Sequence, residues 1–180
     1  MTGSEDRIRV GFFGKLPSRG DFVRIGLSRA FAGAWDQWLQ AVMPEARQVL
    51  GPDWGDVWSR MPVWRFSFAA GFCGATPVSG VWLASADCVG RRFPLLIAAE
   101  CATANDAFLD AAEQIGLDGI MAALTPDCLA RNLTGAPQPL PAMVPVCAAM
   151  RWWRSTEGAV HDHRTETWPD ADAFLGMLTA

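Results

Sequence analysis

The chain has 180 residues, the size of one domain, and a chain this long buries roughly 70% of its unfolded surface. Hydrophobic residues make up 51% and charged residues 19%, a balance that excludes a disordered chain. Fifteen basic against 19 acidic side chains leave −4, which gives no support to nucleic-acid binding through a basic surface, and no apolar run approaches the roughly 20 residues that span a bilayer.

Neither a nucleic-acid partner nor membrane insertion is therefore expected. Met1 to Arg7 is polar and acidic and lacks the basic and apolar segments of a secretory signal, so the expected location is cytoplasmic. Five cysteines (Cys73, Cys88, Cys101, Cys128, Cys147) lie more than ten residues apart with no C-x-x-C pair, and read as buried thiols in a reducing compartment. No disulfide frame, metal or cofactor is expected.

Taken in chain order, Arg7 to Phe13 predicts a β-strand stopped at Gly14, followed by a loop carrying Pro17 and Gly20. From Ser28 as N-cap, apolar residues recur at Phe31, Ala34/Trp35, Trp38/Leu39 and Val42/Met43, the spacing of an amphipathic helix that Pro44 ends or restarts. Gly51-Pro52 is a stop, a short helix spans Trp54 to Arg60, and Pro62 closes it. Val63 to Cys73 alternates as a strand, with Trp64, Phe66, Phe68, Ala70 and Phe72 on one face. Gly80 to Asp87 and Pro94 to Glu100 are two more strands, the second apolar on both faces and hence central.

Ala104 to Ile115 predicts a helix broken at Gly116 and Gly119, and Thr125-Pro126 starts another that ends near Leu133. Gly135 to Pro145 holds four prolines and reads as an extended connector. Val146 to Arg154 and Gly158 to Arg164 form a hairpin turned near Thr156-Glu157-Gly158, and Pro169 to Leu178 a closing helix. The order lacks regular βα alternation, so the expected fold is α/β of the α+β type: a largely antiparallel sheet with helices on its faces, in one domain over 1–180. Nine tryptophans are the oddest feature; Trp35/Trp38 and Trp54/Trp58 have helical spacing and read as core stripes, an aromatic ligand cage being the rarer use.

Two polar clusters invite chemistry. Gly14-Lys15-Leu16-Pro17-Ser18-Arg19-Gly20-Asp21 follows a strand like a phosphate loop, but Pro17 and Asp21 follow the lysine where a Walker loop would enter a helix. In the segment from Ser85 to Pro94, Ser85 and Asp87 face the same way and Gly90 permits a tight turn before Arg91 and Arg92, yet no histidine is near to act as base. His161 and His163 flank Asp162 in a metal-like pattern without an evident third ligand, so a solvated hairpin edge is the plainer reading. For the two loops the bland alternative is a structural lock, in which Asp21 or Asp87 pairs with Arg19, Arg91 or Arg92.

The segment from Gly11 to Val23 resembles the opening signature of the TagF (ImpM) family, associated with bacterial type VI secretion. The likeness continues through Trp35-Asp36-Gln37-Trp38-Leu39, Pro62-Val63-Trp64-Arg65-Phe66, Ser85 to Leu95, Met150-Arg151-Trp152-Trp153 and Trp168-Pro169 to Leu178. The resemblance implies a cytoplasmic, non-catalytic protein that represses type VI secretion after translation. It also implies a forkhead-associated scaffold protein as partner and a functional link to a threonine kinase and phosphatase pathway. The implied fold is a three-layer α/β/α sandwich, similar to longin-like domains.

On this basis Lys15, Leu16, Arg19, Asp21, Phe22, Asp87, Arg91 and Phe93 are expected to form the partner-binding surface: a polar rim, with Leu16, Phe22 and Phe93 as apolar anchors. For Phe22 and Phe93, ordinary core packing is the alternative. Gly14, Pro17, Gly20, Ser85, Gly90 and Pro94 are expected to shape the loops. The rival expectation is a small nucleotide- or ligand-binding enzyme domain using Lys15/Ser18 and Ser85/Asp87.

Overall fold

The computed structural model describes residues 8–103, 105–141, 149–156 and 159–180. Strand β1 (Arg9–Gly14) is followed by a short β2 (Val23–Ile25) and helix α1 (Arg29–Leu50). A 3-10 turn (Gly51–Asp53) leads into α2 (Trp54–Arg60), then β3 (Trp64–Phe68), β4 (Val78–Leu83), β5 (Leu95–Glu100) and β6 (Ala102–Thr103). Helices α3 (Asp106–Met121) and α4 (Pro126–Thr134), strands β7 (Leu140–Pro141), β8 (Met150–Thr156) and β9 (Ala159–Thr165), and helix α5 (Ala171–Thr179) complete the order.

Seven strands form one sheet in the order β2-β1-β5-β4-β3-β8-β9, and every pairing in it is antiparallel. Strand β5 is central and buried along its whole length, as its two-sided apolar run requires. Its alternate residues feed two cores: Leu96 and Ala98 pack with α1, α2 and α5, while Leu95, Ile97 and Ala99 pack with α3 and α4. The result is the expected three layers, helices on both faces of an antiparallel sheet.

The first core is aromatic. Trp35 and Trp38 of α1 lie 5.4 Å apart, centroid to centroid, and each packs on Trp82, Trp152 and Trp168, so the tryptophan stripes are core. The indole N–H groups of Trp35, Trp82 and Trp152 are buried in this aromatic core without a hydrogen-bond partner among the described residues. Trp38 Nε1 of α1 donates to Pro169 O at 2.7 Å, just before α5, and Trp64 Nε1 of β3 donates to Met177 O at 3.0 Å, which ties α5 to the sheet.

Several elements differ from expectation. Helix α3 runs unbroken through Gly116 and Gly119, because those glycines buy close approach: a Cβ would stand 2.9 Å from Leu83 Cδ1 at Gly116 and 2.8 Å from Leu129 Cδ1 at Gly119. Pro44 lies inside α1, which continues to Leu50. Strand β3 stops at Phe68, and the chain turns over Gly71 and Gly74, both at positive φ. Strand β4 ends at Leu83, so Ser85 and Asp87 lie in the loop beyond it. The expected strand start at Arg7, helix start at Ala104, the last part of the proline-rich connector, the turn residues Glu157-Gly158 and Cys147 lie outside the described residues.

Candidate functional site

The two polar loops leave the same end of neighbouring strands. Pairing of β1 with β5 places Gly14 opposite Leu95. Gly14 has φ +133°, and a Cβ there would meet Pro94 O at 2.0 Å; only glycine lets the two loops separate from their strands this closely. Lys15 N then donates to Pro94 O at 3.3 Å, and Ser85 Oγ donates to Lys15 O at 2.7 Å. The Ser85 carbonyl accepts from Phe93 N at 3.2 Å and from Trp58 Nε1 at 2.9 Å, which anchors the second loop to α2.

At the centre lies Asp87, whose side chain is fully buried. Oδ2 accepts from Lys15 Nζ at 2.9 Å and from Arg91 Nε at 2.6 Å, while Oδ1 accepts from the backbone N–H groups of Val89 (3.1 Å) and Arg91 (2.9 Å). Burial pushes this carboxyl up, but the Lys15 ammonium and the Arg91 backbone and guanidinium outweigh it and hold it well below the ordinary carboxylate range. Asp87 is thus ionised and fully hydrogen-bonded. Cys88 N donates to Arg19 O at 2.9 Å and Arg91 Nη2 donates to Gly20 O, so the second loop also grips the first from outside. Gly90, at φ +83°, makes the turn that brings Arg91 back.

This arrangement revises the expected rim. Lys15 (7% exposed) and Asp87 (4%) are buried, because each neutralises the other, and they form the lock rather than a docking surface. Leu16 is fully buried in the α3/α4 core and Phe93 is 6% exposed, so neither is an accessible anchor. Of the pairings expected, Asp87 with Arg91 is present; Asp21 forms no ion pair among the described residues.

What remains accessible is a ridge: Arg19, Asp21, Phe22 and Arg91 together with Val89. Phe22 is 49% exposed, with its inner side held in an aromatic trio, 4.6 Å from Phe93 and 5.9 Å from Phe13. Lys15 Nζ lies 5.2 Å from its ring centroid, so the lock also braces this aromatic side chain. Val89, 70% exposed, was not singled out by sequence; no pattern marks it apart from its place in the turn. Pro17 and Gly20 lie in the first loop, and a Cβ at Gly20 would make only ordinary contact with Cys88 Sγ, at 3.6 Å, so the space there does not require a glycine.

The groups of the rival phosphate-loop reading are occupied within the chain. Lys15 Nζ serves Asp87, Ser18 Oγ donates to Leu124 O at 2.8 Å, and Ser85 Oγ serves Lys15 O. His161 and His163 lie near Trp64 on the β9 edge, and among the described residues no group of three His, Cys, Asp or Glu could hold a metal. No helix among the described residues is long and apolar enough to cross a membrane.

Comparison with known proteins adds three findings. The family model described as the TagF N-terminal domain, type VI secretion system-associated, matches residues 11–136, which include both loops. The crystal structure of PA0076 from Pseudomonas aeruginosa PAO1 is similar with a TM-score of 0.82 at 30% sequence identity, covering 94% of this chain and 94% of that one. No curated protein matches.

Proposed function

We propose that this chain, which belongs to the TagF family of type VI secretion-associated proteins, represses that secretion system after translation by occupying one of its components in the cytoplasm. The component is a forkhead-associated scaffold protein, within reach of the threonine kinase and phosphatase pathway, and the mechanism is non-catalytic: a bound scaffold is withdrawn from assembly, which shifts the equilibrium away from the firing state. The observation that carries this reading is the buried Asp87 lock. It fixes two loops of the family-matched region into one preorganised ridge, and a rigid ridge loses little entropy on binding.

A half-exposed aromatic beside charged side chains is the composition of an interface anchor with its rim. The test is a pull-down from the source bacterium with the tagged wild-type chain beside Asp21→Arg and Phe22→Ala, with captured proteins identified by mass spectrometry. Capture of a forkhead-associated scaffold by wild type and its loss in the folded variants is the expected result. Equal capture by all three would remove the ridge from the interface, and no capture of any secretion component would end the occupancy reading.

A further inference from the structure

Beside the ridge, Met43, Pro44 and Arg47 near the end of α1, Trp54 at the start of α2, and Gly90, Arg91 and Arg92 of the second loop enclose an open cleft of about 470 Å³. We infer that this cleft is a docking site for an acidic segment of a protein partner, one in which carboxylates flank an apolar side chain. Three arginines and no Asp or Glu are among the residues that line it, in a chain whose net charge is −4. Arg91 is held in place by Asp87 and Gly20 O, yet 62% of its side chain is exposed. Arg47 and Arg92 are exposed, and no carboxylate lies within ion-pair distance of either among the described residues.

The Arg92 guanidinium packs against α2 at Gly55, where a Cβ would stand 2.8 Å from Nη2. Trp54, Met43 and Pro44 give the same cleft an apolar lining. Guanidinium forks pair carboxylates with geometric specificity, and an apolar lining in the same cleft suits a peptide with an apolar residue set among acids. A free anion would use the arginines and leave the apolar lining idle. The inference deepens the proposed function by giving the partner's chemistry, and rests on that reading only for the partner being a protein.

The test is fluorescence anisotropy of a fluorescein-labelled Glu-Glu-Leu-Glu-Glu-Leu peptide titrated with the purified full chain. Three forms are compared: wild type, Arg47→Glu/Arg92→Glu, and Arg131→Glu/Arg164→Glu, which makes the same change in net charge away from the cleft. Loss of about tenfold or more in affinity in the first variant, with less than about threefold in the second, is expected from removing two charge-assisted contacts. Arg92→Gln alone serves if the double reversal fails to fold. Absence of wild-type binding, equal loss in both double variants, or displacement by inorganic phosphate at peptide-equivalent concentration would overturn the inference. Should the scaffold pull-down succeed while the peptide fails, the cleft falls and the occupancy reading stands.

Discussion

Replacing Ser85 by alanine isolates one bond of the lock. Ser85 is 4% exposed, and its hydroxyl donates to Lys15 O at 2.7 Å; the bonds received by its carbonyl from Phe93 N and Trp58 Nε1 are untouched by the change. Alanine therefore strips the Lys15 carbonyl of its side-chain donor in a buried setting, a loss of about 1–3 kcal/mol. For a chain of this length that is a fall in Tm of about 2–12 °C, since each kcal/mol shifts the midpoint by about 2–4 °C. Ser59→Ala is the matched control: its hydroxyl donates to Gly55 O on an exposed helix face, and the change is expected to stay within about 0.5 kcal/mol. Urea unfolding at neutral pH, with the slope of free energy against denaturant unchanged, separates the two. If Ser85→Ala costs no more than Ser59→Ala, the hydroxyl bond is not part of what holds the loops, and the rigidity assigned to the ridge loses a support.

Asp87→Asn is expected to destabilise the protein at pH 7 and to flatten its acid dependence. The folded carboxyl is held below its ordinary value of 3.8, so its contribution is present above that pH and is lost as pH falls through the lower folded value; an Asn variant as acid-sensitive as wild type would contradict this. Gly116→Val drives atoms into Leu83 and should cost about 1–3 kcal/mol by thermal denaturation; a neutral result would show that α3 can lift from the sheet without loss. Native thiol labelling should modify exposed Cys88 and spare Cys73, whose thiol is raised by burial first and by Glu100 second; rapid labelling of Cys73 would show that its region opens.

Much of the fold was legible because it rests on periodicity. The apolar spacing from Phe31 to Met43 and the two-sided apolar run at Leu95–Glu100 each report one element's burial, and both behave as read. Gly116 and Gly119 misled because a glycine's local effect, breaking a helix, is opposite to its tertiary use, letting a helix approach a sheet. The same limit applies at the site. Both loops stood out by composition, and Asp87 with Arg91 is a local pair four residues apart. The Lys15 contact spans 72 residues, so nothing local revealed that Asp87 would draw Lys15 inside and convert both from rim to lock. Leu16 and Phe93 were misplaced for the same reason, since which side of a loop faces the core depends on strands that the loop itself does not contain.

On the function proposed above, a secretion component covers the ridge built on the Asp87 lock. Hydrogen–deuterium exchange of the chain, free and bound to the captured scaffold, tests it most directly. Protection on binding concentrated at residues 16–22 and 88–92 is the predicted result. Protection confined to the α3 and α4 face, with both loops exchanging as in the free chain, would contradict it.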